Sequence, residues 1–224
     1  MVLQSERQDD ALPMASATPA GAGRGKRVRR GHVAAGVVAL TLAIGAGTGA
    51  WMRLHRVKPP SSPEDLRHLI DQQGTGFSFE KLKGRTVVMD FIFTHCPSSC
   101  PMQIRALTEI QRALPDALRG HVQFVSVSMD PARDTPVVLK QYAASMGADL
   151  GNWSFVTGTA EEITWLHEYF HARVRPLEGG LFDHRVVVYL IDGRGQLIQK
   201  YTGDLDHQRL VKEIGDVDSL FNKT

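Results

Sequence analysis

The sequence predicts an α/β domain with a mixed sheet flanked by helices, preceded by a single N-terminal transmembrane helix. Three observations predict this arrangement: strand-like and helix-like segments alternate along most of the chain, a long uncharged run lies near the N-terminus, and a polar, Pro-rich stretch separates the two. With 224 residues and a formal net charge of +2, the chain suits one domain plus an appendage and gives no indication of a nucleic-acid partner.

The N-terminal region has the pattern of a membrane anchor. Residues 1–31 are rich in Ala, Gly, Ser and Arg without an apolar period, which predicts a disordered basic tail in the cytosol. Residues 32–52 are the predicted transmembrane helix, because the 20 residues from Val33 to Met52 carry no charge and about 20 apolar residues span the roughly 30 Å core of a bilayer. Basic residues are denser before this run than after it, so the positive-inside rule sends the rest of the chain across the membrane. We therefore expect a single-pass protein of a bacterial cytoplasmic (inner) membrane with a periplasmic C-terminal domain.

The same run has an alternative interpretation as a cleaved signal peptide, since Gly49 and Ala50 are small residues that could suit a peptidase. The run exceeds the apolar region of such peptides, about 7–15 residues, which favours a retained anchor. Both interpretations export the segment that follows. Residues 53–63 include KPPSSP and predict a stiff polar linker, and residues 64–224 are the predicted folded domain.

Apolar periodicity predicts the elements of the domain in order. Arg85–Phe93 is a nearly continuous β-branched and aromatic run, as a strand buried on both faces requires. A helix from about Pro101, a strand over Val122–Asp130 and a helix between Thr135 and Gly147 follow. Next come a short strand over Trp153–Gly158 and a helix that runs from a Thr159–Glu162 capping box to about His171. The domain is predicted to end with an antiparallel hairpin of residues 184–191 and 196–203 and with an amphipathic helix carrying Leu210, Ile214, Val217 and Phe221. This order is that of the thioredoxin fold, although periodicity alone supports only an α/β domain with a mixed sheet.

Both cysteines of the chain lie in one turn, FIFTHCPSSCPM, between the first predicted strand and helix. Cys96 and Cys100 are four residues apart, which permits a disulfide, and an exported domain meets oxidising conditions. A purely structural disulfide is disfavoured, because closing so short a loop stabilises the fold little. A helix N-terminus favours thiolate, so we expect both sulfurs to be more ionised than a free cysteine with pKa ~8.5. His95 is expected to cap the strand, and Met102 to be a core residue.

The two thiolates could instead bind a soft metal, Cu(I) or Zn(II), if the fold supplies a further ligand. His184 opens a predicted strand after a Gly-rich loop, at a sheet edge that faces the cysteine turn in a thioredoxin-type topology. Cys96, Cys100 and His184 would then form a three-coordinate site suited to Cu(I), with Asp183 in support of the imidazole. Because a lone histidine is more often structural, the residues alone leave the metal site and a redox disulfide both open.

A second metal motif, H-E-x-x-H at residues 167–171, resembles the helix motif of zinc proteases. Its supports are missing, because Val174 stands where metzincins have glycine and residues 179–214 contain no glutamate except Glu213. We therefore expect a chance match.

Three segments together resemble successive signatures of the Sco/SenC family of membrane-anchored copper chaperones: FTHCPSSCP, VSVSMDPARDTPVVLKQY and FDHRVVVYLID. The resemblance covers about Leu69 to Tyr201 and implies a thioredoxin-like fold. It also implies that copper, as Cu(I), Cu(II) or both, binds to Cys96, Cys100 and His184.

The resemblance further implies a function and partners. Family members deliver copper to the dinuclear centre on cytochrome c oxidase subunit II, so we expect an assembly factor, not an enzyme, that acts on subunit II or another cuproprotein. A thiol reductant would be needed to reopen a redox disulfide between Cys96 and Cys100. The chain departs from the family at Ser98, where an acidic residue is common, and at Arg185, where a small hydroxyl residue is common; neither change removes a ligand.

The alternative function is a membrane-anchored thiol-disulfide oxidoreductase or thiol peroxidase of the same fold. Such a protein would not need His184. The three-residue spacing between the cysteines, and the lack of a proline after Leu177 that could stand opposite them, count against it.

Overall fold

A six-stranded mixed sheet organises residues 60–221, the part of the chain that this computed structural model describes. The strands are β1 (Ile70–Asp71), β2 (Thr86–Ile92), β3 (Val122–Ser128), β4 (Trp153–Thr157), β7 (Val187–Ile191) and β8 (Leu197–Thr202), in the spatial order β1-β4-β3-β2-β7-β8. A separate two-stranded sheet pairs β5 (Val174–Pro176) with β6 (Phe182–His184). The predicted tail, the predicted transmembrane helix and residues 53–59 of the predicted linker lie outside the described residues.

Helices connect and flank these strands. They are α1 (Ser99–Ala113), α2 (Asp116–Arg119), α3 (Pro136–Met146), α4 (Ala160–Tyr169) and α5 (His207–Phe221), with single 3-10 turns at Pro63–Asp65, Phe79–Leu82 and Glu178–Gly180. Within residues 60–221, no helix combines the length and the apolarity that crossing a bilayer would require.

The centre of the sheet is fully buried. Every residue of β2 and β3 is buried, which explains why these runs lack the polar alternation of a half-exposed strand. β2 pairs in parallel with β3 and antiparallel with β7, so the predicted mixed sheet is confirmed.

Local capping signals fix helix α3 at both ends. The Thr135 hydroxyl accepts a hydrogen bond from the backbone N–H of Val138 (3.4 Å), Pro136 occupies the first helical position, and Gly147 ends the helix with a φ of +72°. The left-handed conformation at this end is one that glycine adopts without strain. The predicted boundaries of this helix are confirmed.

The capping box predicted for α4 is only half formed. The Thr159 hydroxyl accepts from the N–H of Glu162 (3.2 Å), as expected. The Glu162 carboxylate, however, accepts from the backbone N–H groups of Arg67 (2.8 Å) and His68 (3.1 Å) instead of the N–H of Thr159. The start of α4 is thereby tied to the segment that precedes β1.

The hairpin and α1 differ from their predicted boundaries. β7 begins at Val187, and the preceding residues leave the main sheet, so that His184 belongs to β6 and pairs with β5. Strands of three residues are too short for a period to reveal them. Helix α1 begins at Ser99, two residues before Pro101, because a proline is tolerated in a first turn whose N–H groups have no intrahelical partner.

The last helix covers the sheet as predicted. Leu210, Ile214 and Val217 of α5 are buried in the core, while the side chain of Phe221 lies outside the described part. α5 packs against α1, the helix that carries Cys100. Cys100 is itself part of the buried core, so the core extends to the first turn of α1.

Candidate metal centre

Cys96 and Cys100 lie where the chain leaves β2 and enters α1. Neither forms a disulfide within residues 60–221, and both are buried, with 8% and 1% of their surfaces exposed. The backbone N–H of Cys100 donates to the sulfur of Cys96 (3.4 Å), and the hydroxyl of Ser99 lies 3.3 Å from the same sulfur. Because the first amides of a helix have no intrahelical acceptor, the Cys96 sulfur occupies a position that stabilises negative charge.

The two thiols are electrostatically different. Burial raises the pKa of Cys96, but hydrogen bonds from the Ser99 hydroxyl and from the backbone of Cys100 and Ser98 outweigh it, so this pKa lies below the ordinary value. Burial raises the pKa of Cys100 far above the ordinary value, and a backbone hydrogen bond with Phe93 offsets only part of the effect. The prediction that both sulfurs are more ionised than a free cysteine is therefore wrong for Cys100. Its position within the buried first turn outweighs the favourable field of the helix.

Asp134 anchors the segment that leads to Cys96. Its buried carboxylate accepts hydrogen bonds from the backbone N–H of Thr94 (3.2 Å), the hydroxyl of Thr94 (2.6 Å) and the hydroxyl of Ser128 (2.6 Å). Charge-assisted hydrogen bonds of this kind are stronger than neutral ones. The D-P-A-R-D-T-P segment thus fixes the residues just before the first cysteine.

His95, Asp130 and Asp134 form a second group of potential ligands, with ligand atoms within 4.8 Å of one another. The carboxylate of Asp130 pairs with Arg133, and Asp134 already accepts the three hydrogen bonds given above. The imidazole of His95 is half exposed, and its Nδ1 lies 3.1 Å from the Thr94 hydroxyl. This contact is between side chains, whereas a strand cap would bond to the backbone at the end of the strand. These contacts hold the cysteine loop and leave few free oxygen positions for an ion.

The backbone of His184 approaches the same end of the sheet. β7 runs antiparallel to β2 with Val188 opposite Asp90, so the chain before β7 leads toward the end of β2 from which Cys96 follows. The ring of Phe182 also packs edge-on against Phe93, with centroids 5.1 Å apart. The structure describes the backbone of His184 and not its imidazole, so metal ligation by this residue stays a prediction.

Asp183 was predicted to support the His184 imidazole. Its carboxylate accepts a hydrogen bond from the guanidinium of Arg175 (2.8 Å), its register partner across β5 and β6. The ion pair is exposed to solvent. The supporting role beside His184 stays a prediction.

Met102 was predicted to lie in the core, and this prediction is wrong. Its side chain is 67% exposed and lines a groove of about 460 Å³ beside the first turn of α1. The apolar face of the helix is formed instead by Ile104, Leu107 and Ile110, which lie three residues apart.

The H-E-x-x-H motif does not form a pair of ligands on one helical face. Helix α4 ends at Tyr169, and His171 follows it with a φ of +53°. The ring of His167 packs edge-on against Phe91 in the core, with centroids 4.9 Å apart. This geometry agrees with the expected chance match.

A buried polar network beneath α1 was missed by sequence reasoning. The carboxylate of Asp90, in the middle of β2, accepts hydrogen bonds from the Gln103 amide (2.5 Å) and the Ser126 hydroxyl (2.6 Å). Burial raises the pKa of Asp90 to about 6, although both hydrogen bonds lower it. The signal was present in the sequence, since an aspartate in an otherwise apolar strand predicts a buried carboxylate that needs partners. Gln103 lies three residues after Cys100, so the network holds the start of α1 against the sheet.

Comparison with known proteins identifies related chains. Residues 66–217 match the family described as SCO1/SenC. Mitochondrial SCO2 of Saccharomyces cerevisiae is 35% identical over 154 residues, which cover 66% of this chain and 50% of that protein, so the chain spans about half the length of this relative.

Two solved structures share the architecture. Yeast Sco1 with copper bound has a TM-score of 0.61 and 26% identity, and the match covers 73% of this chain and 92% of that chain. BsSco, described as a member of the Sco family of cytochrome c oxidase assembly proteins, has a TM-score of 0.61 and 30% identity, with coverage of 74% and 99%. The central mixed sheet and flanking helices match these structures, so the predicted thioredoxin-like α/β fold is confirmed for the described residues.

Proposed function

The chain belongs to the SCO1/SenC family, and from this premise we propose that it is a copper-binding assembly factor whose ligands are Cys96, Cys100 and His184. The contact between Phe182 and Phe93 is the observation that carries the proposal, because it holds the strand ending at His184 against the segment leading to Cys96. A related yeast protein was solved with copper bound, which supports the choice of metal.

The donor set suits a soft ion. Two thiolates and one imidazole match Cu(I), and three protein ligands leave room for an incoming ligand from an acceptor. Cys96 would contact copper first, since its sulfur is the more ionised and accepts the N–H of Cys100. Cys100 would release its proton as copper binds, because a metal ligand must be deprotonated.

Delivery would proceed by exchange of ligands with the acceptor. We propose that the acceptor is subunit II of cytochrome c oxidase or another cuproprotein, which the description of BsSco as an oxidase assembly protein supports. Oxidation of Cys96 and Cys100 to a disulfide would abolish binding. A dithiol reductant would restore it by passing two electrons and two protons to the disulfide, itself becoming oxidised.

The proposal includes a location. The uncharged run within residues 32–52 and the basic residues before it support a single-pass anchor in a bacterial cytoplasmic membrane, with the copper-binding domain in the periplasm. In this role the protein transfers a metal ion and is not an enzyme.

Anaerobic titration of the reduced full-length protein with Cu(I) tests the ligand set. We expect one copper per chain, and we expect His184→Ala, Cys96→Ala and Cys100→Ala each to weaken binding by about 100-fold or more, since loss of even an outer partner costs roughly 10–100-fold. His207→Ala is the matched control, because His207 is a histidine beside α1 that pairs with Glu109. Unchanged affinity in His184→Ala would refute the three-ligand set, and unchanged affinity in both cysteine variants would refute copper binding at this turn.

The difference between the two thiols favours a second candidate, a thiol-disulfide oxidoreductase. A cysteine with a lowered pKa beside one with a raised pKa is the arrangement of a nucleophile and its resolving partner. The Cys96 thiolate would attack a substrate disulfide, and Cys100 would then displace the substrate thiol and leave a Cys96–Cys100 disulfide. Efficient reduction of insulin that persists in His184→Ala would favour this candidate over the copper site.

A further inference from the structure

Three arginines surround an open basin at the two-stranded sheet. Arg173 and Arg175 from the β5 segment, and Asp183 and Arg185 from the β6 segment, line a depression of about 790 Å³. We call the three arginines the arginine patch. With Asp183 included, three positive charges and one negative charge leave a net charge of +2.

The strand register explains why this charge is unbalanced. Arg175 faces Asp183 and pairs with it at 2.8 Å. Continuing the register by one position brings Arg173 opposite Arg185, and like charges directly across a strand pair are destabilising. Among the described residues, no acidic side chain pairs with either arginine. Both arginines are exposed to solvent, so their guanidinium groups are available to a negatively charged group from outside the chain.

The arginine patch borders the candidate metal centre. Arg185 directly follows His184, and β6 is held against the cysteine segment by the packing of Phe182 on Phe93. A partner bound on the arginine patch would therefore lie beside the turn that carries Cys96.

The loop that joins β5 to β6 adds apolar surface. Leu177 and Leu181 are 45% and 40% exposed, and a backbone hydrogen bond of 2.8 Å from Leu177 to Leu181 closes the loop. Arginine combined with exposed apolar side chains is typical of protein interfaces, whose composition is enriched in Arg relative to Lys.

We propose that the arginine patch binds a carboxylate-rich face of the protein that receives the copper. This inference rests on the proposed function. The planar guanidinium group donates two parallel hydrogen bonds to a carboxylate, so free arginines such as Arg173 and Arg185 fit acidic side chains in a defined orientation. Complementary charge would steer the acceptor toward the metal and raise the rate of encounter.

A lipid surface fits the arginine patch less well. Lipid-binding segments usually cluster about 4–8 basic residues, and this patch has a net charge of only +2. The carboxylate of Asp183 is already paired with Arg175, so only Arg173 and Arg185 remain to contact anionic headgroups, which is fewer than such segments supply. The pattern of mixed charge therefore favours a protein partner.

Association of the copper-free, reduced full-length protein with acidic probes tests the proposal. The protein is held in nanodiscs of zwitterionic lipid and titrated with two probes: the copper-free domain of cytochrome c oxidase subunit II that holds the dinuclear site, and polyglutamate. We expect binding that weakens as salt rises and that falls at least 10-fold in the double variant Arg173→Glu/Arg185→Glu. The control is Lys81→Glu/Lys83→Glu, an equal change of charge at exposed residues before β2, at the opposite end of that strand from Cys96.

The outcomes separate this proposal from the proposed function. Cu(I) affinity within twofold of the parent chain in the arginine variant, together with lost probe binding, supports a docking role distinct from ligation. Polyglutamate binding that depends on the arginine patch, without binding of the subunit II domain, supports the patch and refutes that acceptor. Probe binding that is equal in the parent chain and the arginine variant, or absent from both, overturns the proposal. The titrations are repeated in nanodiscs of anionic lipid. A difference between the parent chain and the arginine variant that appears only there also overturns the proposal, because the patch would then be a lipid site.

Discussion

Replacement of Asp90 by asparagine should change how stability depends on pH. The Asp90 carboxyl is fully buried in β2, and burial raises its pKa from 3.8 to about 6 despite hydrogen bonds from Gln103 and Ser126. In Asp90→Asn the side-chain oxygen can still accept one of these hydrogen bonds, but the group cannot ionise. The variant therefore isolates the cost of the buried charge.

The sign and size follow from the linkage between protonation and folding. The folded pKa lies above the unfolded one, so the stability associated with protonated Asp90 is fully present below about pH 4 and is lost as pH rises through about 6. The difference of 6 − 3.8 = 2.2 pKa units, at 1.36 kcal/mol per unit, corresponds to about 3 kcal/mol. Between pH 3.5 and 7.5 the parent protein should thus lose about 3 kcal/mol more stability than Asp90→Asn.

Urea denaturation of the full-length protein in detergent, followed by tryptophan fluorescence, measures this difference. Trp153 is a suitable probe because it is buried and its indole N–H donates to Ser126 (3.0 Å), inside the Asp90 network. Asp116→Asn is the matched control, since the Asp116 side chain is fully exposed and its variant should follow the parent curve. Parallel stability curves for the parent protein and Asp90→Asn would refute the assignment of an ionisable, destabilising carboxylate to β2.

Three further predictions concern the cysteine turn. Iodoacetamide should modify Cys96 faster than Cys100 near neutral pH. Ser99→Ala should move the pH profile of the Cys96 modification rate to higher pH, because the variant loses a hydrogen bond that lowers the pKa of Cys96. Peptide mapping by mass spectrometry measures both rates. Phe182→Ala should weaken Cu(I) binding about 10-fold and leave the rates of thiol modification unchanged. An aromatic pair contributes about 0.5–1.5 kcal/mol, and about 1.4 kcal/mol corresponds to a tenfold change in the dissociation constant. Asp134→Ala should lower the free energy of unfolding in urea by at least about 3 kcal/mol, because it leaves three donors without their acceptor.

Controls and contrary outcomes are specific to each variant. Ser98→Ala should leave the Cys96 profile in place, since only the backbone of Ser98 contributes, and equal modification rates at the two cysteines would contradict the assigned asymmetry. Leu181→Ala, at an exposed position next to Phe182, should retain full Cu(I) affinity. An unaltered affinity in the Phe182 variant would mean that the packing of β6 on Phe93 does not contribute to the metal site. If Asp134→Ala lowers the free energy of unfolding by less than about 1 kcal/mol, as expected for the control Asp116→Ala, the Asp134 carboxylate does not anchor the cysteine segment.

Local sequence signals predicted the elements whose causes are local. The continuous apolar run of β2 and the Thr135 and Gly147 boundaries of α3 need only neighbouring residues for their explanation, and these predictions are confirmed. The Glu162 carboxylate shows the limit, because its N–H partners at Arg67 and His68 are distant in the chain and only the folded domain brings them near.

The candidate site divides in the same way. The spacing of the cysteines could be read from the sequence, and so could the presence of a helix N-terminus beside them with its favourable field at Cys96, although the helix begins two residues before the predicted Pro101. The depth of burial could not be read from the sequence. Burial raises the pKa of Cys100, against the predicted direction, and the side chain of Met102 is exposed where a core position was predicted. The small sheet of β5 and β6 escaped prediction because its strands have three residues each, too few for a period to reveal them.

The unequal thiols have a consequence for the copper-free protein. Two thiolates side by side beneath the first turn of α1 would repel each other in a poorly solvated site, and the raised pKa of Cys100 keeps one of them neutral. Copper would supply the positive charge that makes the second thiolate stable, and its binding would release the Cys100 proton. Copper affinity should therefore fall as pH is lowered, while Cys96 remains available as the first point of contact. Copper affinity that is independent of pH would mean that Cys100 does not ligate the metal as a thiolate.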